Sequence, residues 1–209
     1  MAYLLISTLF ILAETATASP VQWTTASGGN GHFYELVVAP GGISWDAAAT
    51  ASTANGGNLA TISTPAENAF VFSLASANLS AWIVDQGGNG LGPWLGGFQP
   101  AGSSEPSGGW QWVNGEGTFT YTNWATGDPS NGIGSPHGRE ESRLQFFGSG
   151  TLLGSTWNDA QGVPYADVKG YIVESTVFNV PAPSTLLLFC SGLVGLVAKN
   201  QRGKANPVQ

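Results

Sequence analysis

Between its two apolar ends, the helix signals of this chain all fall before residue 80, and the rest up to about residue 178 reads as short strands broken by glycine and proline. Ser44 stands before an Ala-rich run from Trp45 to about Asn55 that Gly56-Gly57 stops, which predicts a capped helix. Thr64-Pro65-Ala66-Glu67 has the form of a capping box with proline at the first helical position, opening a second helix to about Ala77. Strands are expected at His32–Val38, Leu59–Ile62, Trp82–Val84, Trp94–Phe98, Trp110–Val113, Thr118–Tyr121, Arg143–Phe147 and Gly170–Glu174. The stretches 86–92 and 101–109 are low in complexity and read as mobile loops. Two early helices followed by a run of strands define an α+β domain.

Both ends of the chain read as address labels. Residues 1–18 have the form of an export signal, with an apolar run from Tyr3 to Ala13 and Ala16-Thr17-Ala18 before Ser19. At the other end, Pro181-Ala182-Pro183 precedes an apolar run over 184–198 and the basic residues Lys199, Arg202 and Lys204. That run is short for a membrane span, about 21 Å of helix against about 30 Å of hydrocarbon. The basic residues after it favour an anchor with the main domain outside; a buried helix is the competing reading. These three parts resemble the PEP-CTERM sorting signal, a Pro-Glu-Pro tripeptide, a short membrane helix and a basic tail, with Ala182 in place of the Glu. The resemblance implies an exosortase-type processing enzyme, a membrane contact through the C-terminal helix, and a bacterial cell envelope or exopolysaccharide setting. The expected division is 1–18 signal, 19–178 domain, and 179–209 sorting signal with a basic tail at 199–204.

The exported part must hold together without a disulfide, because the one cysteine, Cys190, lies in the C-terminal run. Between residues 19 and 180 the bases are Arg139, Arg143 and Lys169, against twelve Asp and Glu. That balance repels phosphate backbones and excludes nucleic acid as a partner. It suits a divalent cation. Calcium takes roughly 6–8 oxygen ligands, and two separated segments could furnish them here. The first holds Asp128-Pro129-Ser130-Asn131 and Glu140-Glu141, and the second is Trp157-Asn158-Asp159. Asp128, Asn131, Glu140, Asn158 and Asp159 are the candidate metal ligands, while Glu141 belongs to a second calcium site or, the favoured reading, faces solvent. Asp128 to Gly132 are also all turn formers, so a plain turn accounts for them equally.

The order of landmarks from His32 to Glu174 resembles a C-type lectin-like domain. They are Trp45 with its Ala-rich helix, Gly57-Asn58-Leu59-Ala60-Thr61-Ile62, Glu67-Asn68, Trp94-Leu95-Gly96-Gly97, Tyr121-Thr122-Asn123-Trp124, Trp157-Asn158-Asp159 and Tyr171-Ile172-Val173-Glu174. The resemblance implies a fold of two helices, short antiparallel strands and a long calcium-binding loop. It also implies that Asp128, Asn131, Glu140, Asn158 and Asp159 hold Ca²⁺ and bind carbohydrate through it. Ser130 departs from the family, which has Asn or Asp there. Trp110, Trp112 and Trp124 are expected in the core rather than stacked on sugar.

Catalysis has little support in the residues. His32 and His137 are the only histidines, there is no second His of a zinc-protease helix, and no Ser lies in Gly-x-Ser-x-Gly. The chain therefore reads as a calcium-dependent carbohydrate-binding protein and not an enzyme. The alternative is a calcium-independent structural or adhesion protein that uses the same fold for protein contacts.

Overall fold

A computed structural model describes residues 19–132, 140–162 and 168–178. The expected export signal and C-terminal sorting segment lie outside the described residues, as does His137. Among the described residues no helix is long and apolar enough to cross a membrane.

Both helices start where their caps dictate. Helix α1 spans Trp45–Ala54, with the Ser44 hydroxyl accepting from the Ala47 amide at 3.3 Å. Helix α2 spans Pro65–Ser76, and Thr64 Oγ1 accepts from the Glu67 amide at 3.1 Å. A cap of this kind satisfies one of the amides that a helix N-terminus leaves without a partner. The Glu67 side chain does not fold back onto its own cap. It accepts from the Ser63 amide and hydroxyl, both at 2.7 Å, and from the Tyr34 hydroxyl at 2.6 Å.

The strands are β1 (Val21–Gln22), β2 (Phe33–Val38), β3 (Asn58–Leu59), β4 (Ile83–Val84), β5 (Gly90–Phe98), β6 (Gln111–Trp112), β7 (Arg143–Gly148), β8 (Thr156–Ala160) and β9 (Gly170–Ser175). They form one sheet in the order β1-β2-β9-β5-β7-β8, with β3 on β9 and both β4 and β6 on β5. The first long strand and the last pair antiparallel from Phe33↔Ser175 to Val38↔Gly170. One parallel pairing, Trp94↔Tyr171, joins β5 to β9.

Strand alternation sorts the core into two layers. Leu36, Val38, Leu95 and Ile172 face α2 and pack with its Val71 and Ala75. Their sequence neighbours Val37, Trp94, Tyr171 and Val173 face the other way and pack with Trp45 and Ala48 of α1. One helix therefore covers each side of the central strands, and the architecture is a mixed α+β domain. Gly96 sits where β5 crosses β3, and a Cβ there would lie 2.5 Å from the Leu59 carbonyl oxygen.

Three segments depart from the sequence expectation. β5 begins at Gly90, inside the run read as a mobile loop. The glycines let another chain segment approach: a Cβ at Gly92 would meet the Trp82 ring at 2.6 Å. Residues 118–121 form no strand. Instead Phe119 wedges between Trp110 and Trp112, with ring centroids 5.7 and 4.6 Å away. Finally, Trp157-Asn158-Asp159 lies in a strand, β8, paired residue for residue with β7.

Candidate functional site

β8 gathers the site. Residues 123–125 run alongside it, with the Trp157 amide donating to the Asn123 carbonyl and the Ala125 amide to the Trp157 carbonyl, each at 2.8 Å. Trp157 is fully buried, and its indole N–H donates to Asn68 Oδ1 at 2.8 Å. Trp124 packs beside it, with centroids 5.9 Å apart, and against Trp110 at 4.9 Å. The aromatic cluster thus fixes the strand and the incoming loop together. The expectation that Trp110 and Trp112 belong to the core is met, since both are buried there.

From Ala125 the chain turns through Asp128 to Gly132. The Asp128–Pro129 peptide is cis. Asn131 and Gly132 have φ of +49° and +69°, left-handed conformations that Asn and Gly adopt more readily than other residues. The turn presents three successive amides to two carboxylates. Ser130 N and Asn131 N donate to Asp159 Oδ2 at 2.8 and 2.6 Å, and Gly132 N donates to Glu141 Oε2 at 2.8 Å. Asn131 Oδ1 accepts from the Glu141 amide at 3.0 Å and closes the loop.

Among the described residues the site carries surplus negative charge. Burial, then the Asp159 charge, pushes the Asp128 carboxyl up to about 6. Burial, then Asp159 and more weakly Asp128, pushes Glu141 up to about 7, against the pull of the Gly132 amide. Burial raises Asp159 as well, although the amides of Asn131 and Ser130 oppose it. Among the described residues, ion pairs join His32 to Glu174 and Arg143 to Asp46, and neither involves these three acids. Asp159 is fully buried, and its Oδ1 has no hydrogen-bond partner.

The five sequence candidates fare differently. Asp128 and Asp159 come together with the loop between them. Asn131 is present, but its side-chain oxygen is engaged by the Glu141 amide. Glu140 is exposed, and the acid that joins the cluster is its neighbour Glu141, read from sequence as facing solvent. Adjacent residues differ little in sequence signal, and the turn at 131–132 selects between them by where it aims the Gly132 amide. Asn158 points to the other face of β8, opposite Gln145 of β7, where it lines a cleft of about 740 Å³ shared with Ser130 and Glu141. Gln145 was not expected from sequence, because nothing in a strand of mostly apolar residues marks a glutamine as part of a site.

The donor types fit a hard cation: three carboxylates, with one buried carboxylate oxygen unpartnered. Among the described residues, however, no group of three or more His, Cys, Asp or Glu side chains stands as a preformed metal cage.

Comparison with known proteins gives one sequence family and a set of structures. No curated protein matches the chain. The cow C-type carbohydrate-recognition domain of CD23, crystallised with a GlcNAc2Man3 oligosaccharide, is 20% identical, with 72% of this chain and 90% of that one covered and a TM-score of 0.49. The herring type II antifreeze protein is also 20% identical, covering 71% and 94%, with a TM-score of 0.49. The carbohydrate-recognition domain of the mouse scavenger receptor C-type lectin is 20% identical, covering 68% and 89%, with a TM-score of 0.45. These likenesses concern fold alone. The chain carries the PEP-CTERM protein-sorting motif over residues 179–202, and in structure it is similar to C-type lectin domains.

Proposed function

We propose that this protein is exported and binds carbohydrate through a Ca²⁺ ion held by Asp128, Glu141 and Asp159. The observation that carries the reading is the cluster Asp128, Glu141 and Asp159, whose charges oppose one another and which, among the described residues, has no basic side chain paired with it. Buried like charges are costly, and a divalent cation would relieve that cost. Bound calcium would supply coordination positions for vicinal hydroxyls. The chain's own part is to hold the acids on β8 and the 128–132 turn, with Asn131 closing the loop rather than ligating. Binding, not catalysis, is the chemistry such a site supports.

Calorimetric titration of Ca²⁺ into the purified protein, with melting curves in calcium and in chelator, tests this directly. We expect saturable binding and a higher Tm, since ligand at about 1,000 times Kd adds roughly 4 kcal/mol. A glycan array in calcium would then identify the sugar. Absence of binding at millimolar calcium would sink the reading.

One observation favours a second reading, a calcium-independent structural or adhesion protein. Asp159 Oδ2 already accepts two backbone amides, so the loop has order without metal. Sugar or protein binding that persists unchanged in chelator would select it.

The sorting motif supports processing by an exosortase-type enzyme and residence in the cell envelope or extracellular matrix. Intact-mass analysis of the exported protein should show loss of the chain beyond the motif's Pro181-Ala182-Pro183. A full-length C-terminus would instead leave the segment as a membrane anchor.

A further inference from the structure

The cleft beside the acid cluster has a chemistry of its own. It lies on the α1 side of β5, β7 and β8, where alternation brings Leu91, Gln145, Phe147 and Asn158 to one face. Its volume of about 740 Å³ falls within the usual range of small-molecule sites. Gln145 is only 2% exposed, and its Oε1 has no hydrogen-bond partner. Native interiors seldom leave a buried acceptor so, and Gln145 is among the residues that line this space.

Charge narrows the ligand. Among the described residues the ionisable groups lining the cleft are Asp85 and Glu141, and no Lys, Arg or His is among them. An anionic ligand would meet repulsion. Asp85 is already saturated, with Oδ1 accepting from the Gly87 and Asn89 amides at 2.8 Å each and Oδ2 from Asn89 Nδ2 at 3.1 Å. Glu141 accepts from Gly132 N. What remains unmet is the neutral amide acceptor of Gln145, set between apolar walls. A molecule that fits carries O–H donors on its edge and C–H groups on its faces, which describes a neutral sugar ring.

We infer that this cleft is a second, metal-independent subsite for a neutral sugar residue, with Gln145 Oε1 accepting from a ligand hydroxyl. The inference rests on the carbohydrate reading but not on calcium. Ser130 and Glu141 border both the cleft and the acid cluster, so the two sites are contiguous and one glycan chain would span them.

Ligand-detected NMR with the full chain tests it, using methyl α-glucopyranoside, methyl α-mannopyranoside and glucuronate, each in EDTA and then in calcium. At least one neutral glycoside should bind in EDTA, and glucuronate at least tenfold more weakly. Gln145→Leu should weaken that binding at least tenfold. Val84→Trp adds bulk at the mouth from a residue 55% exposed, so it should block the cleft without touching the core. Melting curves check that both variants fold; if Gln145→Leu does not, Val84→Trp decides alone. The inference is overturned if no neutral probe binds in EDTA, if binding survives in the folded variants, or if glucuronate binds equally well. Failure of the calcium reading appears separately, as no added binding when calcium replaces EDTA.

Discussion

Glu67→Ala should lower the stability of the domain by about 2–4 kcal/mol, from the loss of a buried carboxylate and of its charge-assisted hydrogen bonds. Glu67 is only 2% exposed, and its two oxygens accept from Ser63 N, Ser63 Oγ, Tyr34 and Asn30. The last of these bonds is 3.1 Å long. Truncation leaves Ser63 and Asn30, both exposed, to water, and deprives the buried Tyr34 hydroxyl of its shortest partner. As acceptor that hydroxyl keeps only Glu174 Oε1 at 2.9 Å, shared with His32 Nδ1 at 2.7 Å, while Glu174 Oε2 takes the Thr61 amide at 2.8 Å. In urea the midpoint should fall while the slope stays the same, and the Tm should drop by about 10 °C for a domain of this size. A drop under about 3 °C would mean that α2 is held by its apolar face alone.

Asp159→Asn should abolish the effect of calcium and, in chelator, leave the protein no less stable than the wild type above about pH 6. An Asn side chain keeps an oxygen for the Ser130 and Asn131 amides but removes the charge that opposes Asp128 and Glu141. The sign follows from proton binding. The folded protein holds protons on Asp128 up to about 6 and on Glu141 up to about 7, where the unfolded chain releases them at 3.8 and 4.5. Metal-free wild type therefore loses stability as pH rises through that window, and the loss is complete above about 7. Both groups are half-exposed, so solvent screening limits the total to about 1–2 kcal/mol, or roughly 3–6 °C in Tm. In the variant this slope should flatten and calcium affinity should fall at least tenfold, about 1.4 kcal/mol. A variant that still gains Tm from calcium would remove Asp159 from the site.

The helices were legible because their signals are local. Ser44 and Thr64 cap where the sequence places them, since a side-chain oxygen within three residues of an open amide needs no tertiary help. Glu67 shows the boundary of that logic. Its position in the capping box is readable, but its side chain goes to Ser63 and Tyr34, because Tyr34 comes from a strand far away in sequence. The start of β5 was illegible for the opposite reason. Gly90 and Gly92 look like loop residues, and only the neighbouring Trp82 and Leu152 make the absence of a side chain necessary. At the site, the residue types announced a cluster of oxygen donors, and Asp128 and Asp159 do meet across the turn. The choice of Glu141 over Glu140 depends on left-handed turns at Asn131 and Gly132, which no periodicity records.

The pairing of β2 with β9 has a mechanical consequence. The sorting motif follows directly on β9, so any pull on the C-terminal segment enters the domain at Ser175. That strand is interior to the sheet, laddered to β2 along six residue pairs and joined to β3 and β5 as well. A load along its axis acts on those bonds in shear, all together, rather than opening them one at a time from a free edge. The candidate binding surface is carried by β8, at one edge of the strand order and three strands from β9. Tension between a held tail and a bound ligand would thus pass from β9 through β5 and β7 to β8, and the strand nearest the tail is among those least able to peel away.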